Sequence, residues 1–153
     1  MSDAIKKQDI LLITLLGVAH GLSHFFHLVL PPLFPWIMPD LGLTFAQMGA
    51  VMTIFFITSS VGQAASGFVV DPKVCLLGGV ALLMVAGFLF SVATDYWMLF
   101  PASAIAGLGN CVFHPADYAI INRSVSQERL PFAFSIHSVV ANIGWALAPL
   151  TMM

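Results

Sequence analysis

The stretch Gly107–Asn122, GLGNCVFHPADYAIIN, decides how this 153-residue chain is interpreted. It is a long apolar run that contains His114, Asp117 and Tyr118 in its interior. Inside the hydrocarbon of a bilayer, a polar group is costly unless a partner or a water-filled cavity satisfies it. The stretch therefore predicts a membrane helix that lines a solute pathway.

The composition of the whole chain also indicates a membrane protein. Hydrophobic residues make up 59% of it and charged residues 8%, whereas a soluble domain has roughly 25% charged residues. About 20 apolar residues are needed to cross the bilayer, and the sequence contains four complete runs of this kind and the start of a fifth. We therefore predict an all-α, polytopic membrane protein with spans at approximately 10–30, 44–70, 74–93, 97–122 and 131–153.

Several other classes of protein lack support in the sequence. Cys75 and Cys111 lie inside apolar runs without metal-type spacing, so neither a disulfide framework nor a zinc site is predicted. The net charge of -2 gives no reason to invoke nucleic acid. Because no nucleophile has a positioned base, we expect neither an enzyme nor a cofactor.

The distribution of basic residues predicts the orientation in the membrane. Asp40 and Asp95 occupy the first-to-second and third-to-fourth loops. All the Lys and Arg residues fall in the N-terminus and the other two loops: Lys6, Lys7, Lys73, Arg123 and Arg129. Since short cytoplasmic loops have an excess of Lys and Arg, the N-terminus is predicted to be cytoplasmic.

The first span places His20, His24 and His27 on one face. At about 100° per residue, the three fall within about 60° of one another. Histidine suits proton transfer because its ordinary pKa, about 6.5, lies near physiological pH. The alternatives are neutral histidines hydrogen-bonded to neighbouring helices, or a metal held by His20 and His24. No third or fourth ligand is evident at matching spacing, so no metal site is predicted.

The fourth span places His114, Asp117 and Tyr118 at i, i+3 and i+4, again on one face. Pro115 is expected to bend the helix beside them. A charge at the bilayer centre costs about 2.5 to 3.5 kcal/mol, so Asp117 needs a partner, and His114 is the candidate that local spacing offers. A structural capping role for Asp117 near the cytoplasmic end is the alternative.

The fifth span adds His137 and Asn142, which are five positions apart and less well aligned. Interhelical hydrogen bonds and contact with a solute both remain open for these two residues.

Two long strings resemble a known transporter family. The run Ala106–Pro149, AGLGNCVFHPADYAIINRSVSQERLPFAFSIHSVVANIGWALAP, is similar to the fourth and fifth helices of fosmidomycin-resistance-type efflux proteins of the major facilitator superfamily. Gly17–Pro35, GVAHGLSHFFHLVLPPLFP, is similar to their first helix. The resemblance implies a twelve-helix fold of two six-helix halves in the bacterial inner (plasma) membrane, exporting small compounds in exchange for protons by alternating access. It would place the polar faces of the first and fourth spans beside the central cavity.

The loop between the second and third spans departs from the superfamily pattern. That loop usually resembles G-x-x-x-D-R-x-G-R/K, whereas here Gly67 and Asp71 keep its first half and Pro72-Lys73 follow directly. In the family this loop is associated with gating, so the resemblance makes Gly67 and Asp71 the expected gating residues and the short loop a candidate deletion.

The number of spans is the second departure. Residues 1–153 correspond to the first five of twelve helices and are expected to form part of the N-terminal six-helix bundle. Such a chain is expected to be a fragment, a decayed product or part of a split transporter, and not to transport alone. A second polypeptide supplying the other helices is then its expected partner, beside a small-molecule substrate, protons and lipid. The alternative function is a non-transporting remnant or a small membrane interaction partner.

Overall fold

The computed structural model describes residues 3–66 and 71–152, and side chains from residue 6 onward. Within these ranges the chain is mostly helical and forms no strand. The helices are α1 (Asp3–Leu28), α2 (Phe34–Leu41), α3 (Phe45–Ser66), α4 (Pro72–Ser91), α5 (Tyr96–Asn110), α6 (Phe113–Ser124) and α7 (Leu130–Met152).

Five stretches of the described chain are long and apolar enough to cross a membrane. They are Lys6–Leu41, Phe45–Ser66, Pro72–Ser91, Tyr96–Ser124 and Gln127–Met152. The first joins α1 to α2 through a short 3-10 turn, Pro31–Leu33, and the fourth joins α5 to α6. The prediction of an all-α polytopic fold with about five membrane-length helices is confirmed.

Side chains in the loops set where the apolar helices begin. Asp95 caps α5, its Oδ1 accepting from the backbone N–H groups of Trp97 and Met98 at 2.8 and 3.2 Å. Thr44 and Gln47 form a reciprocal capping box ahead of α3. These contacts satisfy N–H groups that a helix start otherwise leaves without a partner.

The helix within Gly107–Asn122 is interrupted at Cys111 and Val112, between α5 and α6. This is the position at which Pro115 is expected to act, because proline lacks the N–H that would donate to the carbonyl of Cys111. The interruption separates the small residues at the end of α5 from the polar residues of α6.

Two pairs of glycines allow helix backbones to touch. A Cβ at Gly144 of α7 would overlap the carbonyl oxygen of Gly21 of α1. A Cβ at Gly79 of α4 would lie 2.7 Å from the carbonyl oxygen of Gly109 of α5, and a Cβ at Gly109 would lie 2.9 Å from that of Gly79. Close backbone contact through small residues is a common way for helices to pack in lipid. It fixes α1 against α7 and α4 against α5.

A polar contact near the start of α1 was missed by the sequence analysis. Asp9 is 3% exposed, and its Oδ2 accepts from the hydroxyl of Ser126, at 2.6 Å, in the α6–α7 connection. Asp9 falls at the edge of the first apolar run, so its sequence position gave no sign of burial. The contact joins the N-terminal end of α1 to a segment 117 residues away.

Ser126→Ala is expected to lower the free energy of unfolding by about 1.5 to 3 kcal/mol, since a hydrogen bond to a charged group contributes about that much. Thermal unfolding of the detergent-purified chain, followed by circular dichroism, measures it. Ser135→Ala is the control, because the Ser135 hydroxyl is exposed and bonds within its own helix to Pro131. An equal loss of unfolding free energy in the two variants would show that the hydrogen bond from Ser126 to Asp9 does not stabilise the fold.

Candidate functional site

Every histidine of the sequence lies in one group inside the bundle. We define the histidine cluster as these five residues together with Asp117. His20, His24 and His27 come from α1, His114 and Asp117 from α6, and His137 from α7. The histidine rings form a connected set, with centroids of neighbouring rings 3.7 to 5.4 Å apart.

Asp117 lies at the centre of the histidine cluster and is completely buried. Its Oδ2 is 3.0 Å from Nδ1 of His20 and 3.8 Å from Nε2 of His137. Neither contact has hydrogen-bond alignment, and both carboxylate oxygens lack a hydrogen-bond partner in the described part of the chain. The partners of Asp117 within 4 Å therefore belong to α1 and α7, whereas local spacing had indicated His114.

The close approach of Gly21 and Gly144 explains how α1 and α7 meet at the site. The rings of His20 and His137 stack with centroids 3.7 Å apart and 23° between their planes. Both side chains are buried, with 1% and 2% exposed. Because any side chain at position 144 would separate the two helices, the stack depends on that glycine.

His24 and His114 extend the histidine cluster beyond His20. His24 packs against His20, with centroids 4.4 Å apart, and against the indole of Trp145, at 4.5 Å. The plane of the His114 ring is steeply inclined to those of His20 and His24, at 73° and 79°. Neither ring nitrogen of His24 has a hydrogen-bond partner among the described residues.

His27 has a different environment, because both of its nitrogens have partners. Its Nε2 is 2.8 Å from the amide of Asn110, which in turn lies 2.8 Å from Oγ of Ser59. The indole N–H of Trp145 donates to its Nδ1 at 3.3 Å. The indole can only donate, so Nδ1 of His27 accepts from it, and Nε2 lies against the amide nitrogen of Asn110. His27 is thus held in a structural network with Trp145, Asn110 and Ser59.

The other predicted pathway residues lie at or beyond the edge of the histidine cluster. Tyr118 is 46% exposed, with its ring 5.7 Å from that of His137. Asn142 is exposed on α7 and bonds within its own helix, donating to the carbonyl of Ser138. The geometry therefore does not bring Asn142 into the cluster.

Of the two expected gating residues, Asp71 is described and Gly67 lies outside the described residues. Asp71 caps α4, and its Oδ1 accepts from the backbone N–H of Lys73 at 2.9 Å. This contact gives Asp71 a local structural role at the start of the third span.

Three residues of the network around His27 were not predicted as site residues: Asn110, Ser59 and Trp145. Asn110 is four positions before His114 and Trp145 eight positions after His137, so helical spacing could have placed both near those histidines. Ser59 is one of several small residues in the second span, and no local signal separates it from them.

An apolar cavity of about 410 Å³ lies between helices α1 to α5, and Asp40 of α2 is part of its lining. Its lining includes Phe26, Leu30 and Phe90. It does not contain the histidine cluster. We place the candidate site at the cluster because unpartnered polar groups converge there, whereas the cavity lining is mainly hydrophobic.

Membrane-length helices around a buried carboxylate and several histidines define a polytopic membrane protein of the transporter class, because ionisable residues inside membranes mark solute and ion pathways. Residues 16–153 match the family model described as Major Facilitator Superfamily. The chain therefore belongs to this superfamily, and the resemblance noted in the sequence is confirmed.

The chain is similar to several curated bacterial proteins. It is 28% identical over 142 residues to the uncharacterized MFS-type transporter YfnC of Bacillus subtilis, a match that covers 91% of the chain and 34% of the relative. It is 28% identical over 145 residues to the fosmidomycin resistance protein of Escherichia coli, a match that covers 88% of the chain and 34% of the relative. It is 24% identical over 121 residues to the quinolone resistance protein NorA of Staphylococcus aureus, a match that covers 77% of the chain and 31% of the relative. The chain thus spans about a third of the length of these relatives.

Proposed function

We propose that this chain forms part of the N-terminal six-helix half of an exporter that moves small compounds, of the fosmidomycin type, out of the cell across the bacterial inner membrane. The observation that carries the proposal is the buried Asp117 among histidines from three helices, in a chain of the major facilitator superfamily. Two relatives named for resistance to fosmidomycin and quinolones support the direction of transport. Exchange for protons is part of the proposal, as the resemblance implies.

In this proposal the histidine cluster forms one side of the solute pathway. His20, His24 and His114 line it, Asp117 and His137 lie behind them, and Tyr118 is at its edge. His27 holds Trp145 and Asn110 in place, and Asn142 faces a neighbouring segment. The N-terminus is cytoplasmic, as the basic residues of the loops indicate.

Alternating access requires a second bundle on the other side of the pathway. We propose that the other helices come from a further part of a longer chain or from a second polypeptide. The chain by itself is then a membrane protein without transport activity, and it catalyses no reaction.

Expression of the chain in a fosmidomycin-sensitive bacterium tests this function, alone and together with the segment encoded next to it in the genome. We expect resistance to fosmidomycin to rise several-fold only when both segments are present and purify together. Everted vesicles containing both segments should take up fosmidomycin when a pH gradient is applied. This uptake should stop when the pH gradient is collapsed.

Two results would contradict the proposal. If the two segments purify together but neither resistance nor gradient-dependent uptake appears, the chain is a non-transporting membrane protein, which is the alternative function. If uptake persists after the gradient is collapsed, export without proton exchange replaces the coupled form.

A further inference from the structure

The buried polar atoms of the histidine cluster lack partners on the protein. His20 Nδ1, both nitrogens of His137 and both carboxylate oxygens of Asp117 have no hydrogen-bond partner within the described ranges. All three side chains are more than nine-tenths buried. A buried polar group without a partner costs about 1 to 3 kcal/mol, so three of them at one point indicate a ligand that satisfies them together.

The same three residues have the spacing of metal ligands. One atom from each of His20, Asp117 and His137 lies within 4.8 Å of the others. A tetrahedral zinc ion with bonds of about 2.0 to 2.1 Å separates its ligand atoms by roughly 3.3 Å. The distances from Asp117 Oδ2, 3.0 Å to Nδ1 of His20 and 3.8 Å to Nε2 of His137, fall on either side of that value. Because an imidazole binds a metal in the plane of its ring, the stacked rings of His20 and His137 would turn when the ion binds.

We propose that His20, Asp117 and His137 bind one divalent transition-metal ion of the zinc type, with a fourth position open to water or solute. Two imidazoles and one carboxylate suit zinc, and the carboxylate compensates one of the two positive charges. A second set, His20 with His24 and His114, also lies within metal-ligand range and is more exposed. The first set is the site because it contains the carboxylate.

Local spacing could not show this site. It offers His20 and His24 of α1 but no third ligand, whereas the structure supplies Asp117 from α6 and His137 from α7. The ligand set therefore depends on the packing of three helices. Binding of the metal does not rest on the proposed export, and it is measured on the purified chain without a transport assay.

The test begins with the detergent-purified chain, stripped of metal by a chelator and then given Zn²⁺ or Co²⁺ alone. We expect one equivalent of Zn²⁺ per chain after gel filtration, and the visible absorption of four-coordinate Co²⁺. His137→Gln and Asp117→Asn should each weaken binding by at least about 10-fold, because the loss of even an outer-sphere partner costs about 10- to 100-fold. Asp95→Asn is the matched control for the loss of a carboxylate, since Asp95 caps α5 outside the histidine cluster, and it should retain binding.

A further variant protects the test against misfolding. His137→Cys replaces one ligand by another, and its thiolate should add a sulfur-to-cobalt charge-transfer band only if residue 137 touches the metal. The proposal is overturned if the folded wild-type chain binds neither ion, if Asp95→Asn loses binding as strongly as Asp117→Asn, or if Co²⁺-loaded His137→Cys shows no such band. Loss of binding in His24→Gln with retention in Asp117→Asn would also overturn it, in favour of the second set.

Discussion

Gly144→Ala is expected to lower the free energy of unfolding by about 1 to 3 kcal/mol, the usual cost of adding a group to a packed interior. The added Cβ would meet the carbonyl oxygen, carbonyl carbon and Cα of Gly21, all of them backbone atoms. A side chain can rotate away from such a contact, but a helix backbone has to move as a whole. Gly144→Leu should therefore prevent stable packing of α1 against α7. Thermal unfolding of the detergent-purified chain, followed by circular dichroism, measures both effects.

Gly78→Ala provides the matched control, because a Cβ at Gly78 of α4 would meet no atom within 4 Å. Alanine is favoured over glycine inside a helix by about 1 kcal/mol, so this variant should be as stable as the original chain or more stable. The two substitutions add the same methyl group and differ in what it meets. A similar loss in both would show that glycine flexibility, and not close packing, determines the effect.

The helices were predictable from the sequence because each depends on local properties. About 20 consecutive apolar residues cross a bilayer wherever they occur, and Pro115 disrupts its own helix regardless of the neighbours. The shared face of His20, His24 and His27 likewise follows from the helical repeat alone.

The partners within the histidine cluster were not predictable, because they depend on how separate helices are rotated and how closely they approach. Local spacing indicated His114 as the partner of Asp117, but the structure places His20 and His137 there. That arrangement follows from the contact between Gly21 and Gly144, which no period within one helix encodes. Asn142 was predicted as a pathway residue because it is polar and lies inside a span, but it is exposed and lies outside the histidine cluster.

Asp117→Asn is expected to reduce the fosmidomycin resistance conferred by the completed transporter to that of cells without it. Asparagine keeps the size of the side chain but removes the carboxylate that His20 and His137 face. Neither oxygen of the Asp117 carboxyl group has a hydrogen-bond partner to lose among the described residues, so the variant should fold at least as well as the original chain. Unchanged stability together with lost export would separate a functional role for Asp117 from the structural capping role.

Asp95→Asn is the control for the loss of a carboxylate. Asp95 caps α5 outside the histidine cluster, and asparagine caps helices about as well as aspartate. Resistance should therefore persist in Asp95→Asn at the same level of protein in the membrane. Persistence in Asp117→Asn as well would remove Asp117 from the coupling mechanism and leave its burial to be explained by helix packing. Loss of resistance only together with loss of thermal stability would assign Asp117 the structural role, because its effect would then come from the fold and not from the pathway.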